Sequence, residues 1–346
     1  MKIVVSAKNG AREFECDPGE KILLAGLRHG VELPYECATG TCGTCKARLV
    51  SGHAESAWPA APGTKYFKAE GDFLTCQSVA REDCALEIGM LKTREPNTVA
   101  PGALGGVIRA MRPLTHDVVA FDVELDAPLD FDAGQFALLS VPGIAGARAY
   151  SMVNFERGSR RLAFVVKKKP GGGVSEWLFG GGAADGARVG VLAPLGGATF
   201  RPDIQRHVLC VAGGSGIAGM MAILSLACQS GHFAAWDGHV YFGIRSERDA
   251  FFLDELDALR AQCPARLAVT VALSDEDVPA ALVERYRGFT FAKGFVHAVA
   301  GEAMKGRYAN VRAFVAGPPP MVDACLRLLL REARLSPAEI RYDKFS

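Results

Sequence analysis

At about 150 residues per domain, 346 residues make two or three domains, and 49% hydrophobic with 22% charged residues exclude extended disorder. A net charge of +1, from 39 basic and 38 acidic residues, leaves no electrostatic excess for nucleic acid or an anionic membrane. Ten cysteines are too few for a disulfide scaffold, and the opening MKIVVSAKNG has no apolar signal core, so the expectation is a cytoplasmic protein whose thiols are buried, catalytic or metal-bound.

In chain order, Lys2 to Val5 and Glu13 to Cys16 alternate as strands around Asn9-Gly10, which predicts a hairpin. Lys21 to His29 reads as a short helix, followed by a glycine- and cysteine-rich loop from Cys37 to Cys45. Residues 1–92 form the first expected domain. A linker is expected over 93–101, where Pro96, Asn97 and Pro101 interrupt any apolar period. From 102 to 203 the segments GVIRAM, VVAFDVEL, FALLSVP, LAFVVKK and ARVGVLAP predict a small antiparallel barrel with one helix at Ser175 to Phe179. Over 204–346 strands alternate with helices, which implies right-handed crossovers and a doubly wound parallel sheet. The uncharged run Val208 to Cys228 is long enough to span a bilayer. Gly213, Gly214, Gly216 and Gly219 divide it into strand, turn and helix instead. The fold class is therefore multidomain, α+β followed by α/β.

Cys37, Cys42 and Cys45 have C-x4-C-x2-C spacing, with Cys76 after thirty intervening residues, the plant-type pattern of a [2Fe-2S] cluster. Gly40 and Gly43 permit turns whose amides point at sulfur. Four thiolates also suit zinc, although zinc sites usually carry two C-x2-C knuckles and here there is one. Cys16, Cys84, Cys210, Cys228, Cys263 and Cys325 are scattered and read as core. On a strand Arg148 and Tyr150 share a face, presenting a cation and a flat ring together, and the loop Gly171 to Gly173 leads into a helix near Ser175. Gly213-Gly214-Ser215-Gly216-Ile217 follows a strand and opens a helix, as a phosphate-binding loop does, though an ordinary glycine turn looks the same. Gly317-Pro318-Pro319-Pro320-Met321 lies at the carboxyl edge of the same sheet.

Taken in order, YECATGTCGTC with Cys76, RAYS, KPGGGVS, GGSGIA, GPPPM and the terminal RYDKF resemble, over essentially the whole chain, the NADH-dependent, ferredoxin-type reductase components of bacterial multicomponent oxygenases, within the ferredoxin-NADP reductase superfamily. Reductases of aromatic-ring diiron monooxygenases look most similar; those of cytochromes P450 and Rieske dioxygenases share the arrangement. The resemblance implies a β-grasp ferredoxin domain, an FAD barrel and an NAD domain, and a [2Fe-2S] cluster on Cys37, Cys42, Cys45 and Cys76. It implies FAD pyrophosphate on Arg148, the isoalloxazine against Tyr150 and a hydrogen bond near flavin N5 from Ser151. Val165, Val166, Lys167, Gly172, Gly173, Val174 and Ser175 would follow the ribityl and phosphate chain. Gly213 to Ile217 with Gly317, Pro318, Pro319 and Met321 would bind NAD(P)H, while Asp343 precedes a terminal aromatic, Phe345, that covers the flavin. The family usually has Cys before G-P-P; here Ala316 stands there. Beyond the second strand of the last domain, Arg245 could take a 2′-phosphate and Asp249 a ribose hydroxyl, and the acids Glu247 and Asp249 favour NADH. The implied reaction passes electrons from NADH through FAD and the cluster to a terminal oxygenase or its ferredoxin. A stand-alone reductase shares every motif, and a non-redox nucleotide-binding zinc protein is the other alternative.

Overall fold

The structure, a computed structural model, describes residues 1–93, 98–180 and 186–344. In the first module, β1 (Lys2–Ala7) and β2 (Gly10–Glu15) form the hairpin, with Gly10 at φ +133°. Helix α1 (Ile22–Arg28) follows, then β3 (Lys46–Ser51), β4 (Ala54–Ser56), β5 (Asp72–Leu74), β6 (Ser78–Ala80) and β7 (Cys84–Glu87). The sheet runs β2-β1-β7-β3-β5, with β1 and β7 parallel, and α1 buries Ile22, Leu23, Ala25 and Leu27 against Ile3, Val5 and Leu86. This is the β-grasp layout. The helix starts one residue later than its apolar period suggests because Lys21 is extended and bridges to Val79.

The second module comprises β8 (Gly102–Pro113), β9 (Val118–Leu129), β10 (Phe136–Ser140), β11 (Arg148–Ser151), β12 (Ser159–Lys167), α2 (Gly173–Phe179) and β13 (Arg188–Leu195). Its antiparallel order is β11-β10-β13-β8-β9-β12, and the Val153 amide donates to the Ala163 carbonyl at 2.8 Å, closing the two edges around Phe121, Phe164 and Val191.

The third module has β14 (His207–Gly213), α3 (Ile217–Gln229), β15 (Gly238–Ile244), α4 (Leu253–Gln262), β16 (Leu267–Leu273), α5 (Ala280–Arg285), β17 (Thr290–Lys293), α6 (Val296–Ala303), β18 (Val311–Gly317), α7 (Pro319–Arg327) and β19 (Ile340–Lys344). All six strands are parallel, in the order β17-β16-β15-β14-β18-β19. Alternate strand residues face opposite layers: Val208, Cys210 and Ala212 pack with α3 and α4, Leu209 and Val211 with α6 and α7. The sheet is therefore doubly wound, and its order reverses at β14, the switch point where ligands bind in such folds. The sequence reading passed over α5, α6, β17 and β19, elements of eight residues or fewer that carry little period. In the last helix regular α geometry stops at Arg327 and a π turn covers Leu328–Glu332.

The modules share apolar contacts. Phe136, Leu138 and Leu195 of the barrel join the first core, and Val118, Ala120, Val165 and Phe200 join the third. Among the described residues no helix is long and apolar enough to cross a membrane. Residues 94–97 of the expected linker and Phe345 lie outside the described residues.

Candidate functional site

Four thiols meet in one place because the loop after α1 winds tightly and the β5–β6 connection brings up the fourth. Ala38, Gly40 and Gly43 take φ of +54°, +84° and +75°. A side chain at Gly43 would run into the Tyr66 ring, and a Cβ on Gly40 would lie 2.8 Å from Gln77 Cγ, so glycine is needed for both backbone sign and space. The Cys45 and Cys76 sulfurs are 3.2 Å apart. The Thr39 amide donates to Cys37 Sγ and Gln77 Nε2 to Cys76 Sγ, each at 3.4 Å. Cys37 is held well below the usual thiol range by a hydrogen bond from Cys42, and Cys76 is lowered by Cys45. Closely packed sulfurs that already receive donors suit thiolate ligation of a [2Fe-2S] cluster. Of the cysteines expected in the core, Cys16, Cys84, Cys210 and Cys325 are buried. Cys228 and Cys263 are not: they are half-buried at the ends of α3 and α4, their sulfurs 4.0 Å apart.

A cavity of about 580 Å³ lies against this loop. The barrel contributes Arg148, Tyr150, Ser151, Val165, Val166, Lys167, Gly172, Val174 and Ser175 to its wall; the doubly wound module contributes Ser215 and Asp343; the first module contributes Glu36, Cys37, Thr39, Trp58 and Pro62. A thiol of the cluster set is thus part of the wall of the barrel cavity. Ser175 Oγ donates to the Gly172 carbonyl at 3.0 Å and accepts from the Lys169 amide at 3.1 Å, which folds the glycine loop over the start of α2. Burial pushes Tyr150 up to about 12, and Asp343 is pushed up to about 7 by burial and then by Glu36, with Lys92 opposing. The cavity's size, its cation and its half-buried ring fit a flavin dinucleotide.

The remaining predicted residues lie outside the wall of this cavity. A Cβ on Gly216 would strike the carbonyl oxygen of Ala316, and one on Gly213 would come 3.0 Å from Met321 Cε. The Gly213–Ile217 and Gly317–Met321 loops therefore touch at the carboxyl edge of the sheet. Gly173 instead faces Ile144. Arg245 pairs with Asp249 at 2.7 Å and with Asp117 of the barrel at 3.6 Å. Asp249 is buried in a capping box, taking the Ser246 hydroxyl at 2.8 Å.

Sequence reading missed the contacts that fasten the first module. Tyr342 donates to Glu36 Oε1 at 2.9 Å, the Gly196 amide donates to Tyr35 Oη at 2.9 Å, and Lys92 Nζ donates to the Tyr35 carbonyl at 2.9 Å. Tyr342 and Glu36 lie 306 positions apart, beyond any local pattern.

Cluster-type thiols, a barrel cavity and a doubly wound nucleotide fold meeting at one place define a three-module oxidoreductase. The family models of the 2Fe-2S iron-sulfur cluster binding domain, the oxidoreductase FAD-binding domain and the oxidoreductase NAD-binding domain match residues 6–81, 106–200 and 210–327. The ferredoxin–NAD(P)(+) reductase CarAd of Metapseudomonas resinovorans is 32% identical, over 95% of this chain and 96% of its own. The ferredoxin–NAD(+) reductase component of the alkene monooxygenase system of Xanthobacter autotrophicus is 33% identical, over 97% and 99%. The solved ferredoxin reductase in carbazole 1,9a-dioxygenase superposes with a TM-score of 0.83 at 30% identity, covering 100% of this chain and 99% of that one. The chain belongs to the family of ferredoxin–NAD(P)(+) reductase components of oxygenase systems. It is an NAD(P)H-dependent oxidoreductase with 2Fe-2S, FAD and NAD domains.

Proposed function

We propose that this reductase takes electrons from NADH and delivers them one at a time to a terminal oxygenase or the ferredoxin that serves it. The observation that carries this reading is the single cavity into which Cys37, Tyr150 and Asp343 all project from different modules. FAD, when bound, accepts a hydride from the nicotinamide and releases single electrons to the [2Fe-2S] cluster, which reconciles a two-electron donor with a one-electron acceptor.

The chain's own residues supply position and exclusion. Cys37, Cys42, Cys45 and Cys76 ligate the cluster. Arg148 would hold the pyrophosphate, Tyr150 would pack on the ring system, and Ser151, buried beside Gly219 of α3, would offer its hydroxyl to the flavin ring. Val165 to Lys167 and Gly172 to Ser175 line the ribityl and phosphate chain. Trp58 and Pro62 shield the cavity on the ferredoxin side. The Asp343 carboxyl keeps its proton up to about pH 7 beside the same cavity. Gly213 to Ile217 and Gly317 to Met321 hold the coenzyme, and Phe345, outside the described residues, is the ring-covering aromatic. Because hydride transfer asks for closeness more than for an acid or base, Ala316 suffices where relatives carry a thiol.

Arg245 supports NADH over NADPH. Its guanidinium already lies between Asp249 and Asp117, so a 2′-phosphate would meet two carboxylates there. All ten cysteines are free, in keeping with a reducing, cytoplasmic setting. The test is direct: purified protein absorbs in the visible from flavin and cluster, NADH bleaches both, and kcat/KM is higher for NADH than for NADPH. A colourless, zinc-loaded protein refutes the reading, and a preference for NADPH refutes the coenzyme assignment. Reconstitution with the oxygenase encoded alongside separates this function from that of a stand-alone reductase.

A further inference from the structure

A second cavity, of about 260 Å³, opens between the ferredoxin module and the barrel, and Lys21 lines it together with Leu24, Ala38, Cys76, Leu104 and Leu138. Apart from Lys21, the thiol and the Ser140 hydroxyl these walls are apolar, and no carboxylate is among them. Lys21 is half-buried, held extended at the entrance to α1 by its bridge to Val79, so its side chain is committed to this face. Its ammonium donates to Gln77 Oε1 at 3.4 Å, and Gln77 in turn donates to Cys76 Sγ at 3.4 Å. A cation taken out of water is costly unless an anion compensates it. Other lysines nearby have carboxylates: Lys46 pairs with Asp72 at 3.2 Å, and Lys92 feels Glu36, Glu32 and Asp343. Lys21 has no carboxylate partner among the described residues; burial, the larger effect, holds its pKa below the usual lysine range, and the Cys76 and Cys45 sulfurs pull it part of the way back up.

The sulfurs alone therefore supply the compensating negative charge. Four thiolates, two sulfides and two ferric ions leave an oxidised [2Fe-2S] cluster with two net negative charges, and one added electron makes three. A fixed cation close by favours the reduced form, since net charge is one of the quantities that set cluster potential.

We propose that Lys21 is the built-in counter-cation of the cluster, connected to Cys76 through Gln77, and that it raises the cluster's reduction potential so that electrons pass readily from the flavin. The proposal rests on the cluster assignment above and adds a residue that is not a ligand.

The experiment is a redox titration of the holoprotein, following the cluster by its electron paramagnetic resonance signal and the flavin by absorbance, for wild type, Lys21→Met, Lys21→Gln and Lys21→Arg. At a fixed potential Lys21→Met and Lys21→Gln lower the ratio of reduced to oxidised cluster at least tenfold, equivalent to about 59 mV for one electron. Lys21→Arg stays within threefold of wild type, and the flavin midpoint does not move. Loss of the cluster from the two neutral variants with retention in Lys21→Arg also supports the counter-cation. A fully loaded Lys21→Met with a ratio within twofold of wild type overturns it. So does a Lys21→Arg that shifts or loses the cluster as Lys21→Met does, because the role is then one of packing. A wild-type protein without a cluster signal overturns the parent reading as well.

Discussion

Three glycines at the end of β14 and in the loop after it should respond to the same substitution in very different ways, because each has different surroundings. At Gly216 a Cβ would strike the Ala316 carbonyl oxygen and lie 2.5 Å from its carbon and 2.8 Å from Gly317 N, where ordinary contact is 3.4 Å or more. These are backbone atoms and cannot rotate away. The two loops proposed to hold the coenzyme must separate by about 1 Å, and a misplacement of that size costs about a hundredfold, or about 2.7 kcal/mol of barrier. Gly214 has φ +53° and nothing within 4 Å, so Gly214→Ala adds only left-handed strain, about 1 kcal/mol of stability. Gly213 has negative φ, and its nearest neighbour is the tip of Met321 at 3.0 Å, which can swing aside. With an artificial electron acceptor and matched flavin and cluster absorbance, kcat/KM for NADH should fall about a hundredfold in Gly216→Ala and less than about threefold in Gly213→Ala. Equal losses in the two variants, or an unaffected Gly216→Ala, would refute the steric argument.

Asp343 gives a pH test. The folded carboxyl keeps its proton up to about 7 while an unperturbed one releases it near 3.8, so folding takes up a proton in that window. This contribution to stability is lost as pH rises from about 4 to about 7, with a ceiling of about 4 kcal/mol at 1.36 kcal/mol per pH unit. Asp343→Asn should therefore melt above wild type at pH 8 and converge with it near pH 4; a constant gap contradicts the assignment. Tyr342→Phe removes the donor to Glu36, a bond to a charged group worth about 2 kcal/mol. Stopped-flow reduction should show slower cluster reduction with unchanged flavin reduction, and equal slowing of both would place Tyr342 elsewhere in the reaction. Ala316→Cys should leave steady-state turnover within about threefold, since positioning dominates; a hundredfold rise would show that the thiol matters.

The sequence was most legible where chemistry is local. Cysteine spacing located the cluster loop, and the shift from strand rhythm to strand-helix alternation located the doubly wound sheet, because both depend on neighbours in the chain. Long-range contacts left no such mark. Lys21 looked like an ordinary first residue of a helix until the fold set it beside Cys76 and Gln77. Arg245 and Asp249 read as coenzyme contacts, and only the structure shows them engaged with each other and with Asp117. Cys228 and Cys263 read as core because they are scattered away from the cysteine-rich loop, yet both sit at helix ends where burial stops.

The shared cavity wall also bears on recombination. Glu36, Trp58 and Pro62 belong by sequence to the ferredoxin module, but they form part of the chamber proposed for the flavin. Tyr35 and Glu36 are fastened by Gly196 of the barrel and Tyr342 of the last strand. A chimera that exchanges the first ninety or so residues for those of a relative therefore replaces one side of that chamber and the two residues that Gly196 and Tyr342 hold. The unit that can be transplanted intact is the ferredoxin module together with its matching partners at positions 196 and 342, so a graft should follow the contact surface instead of the linker.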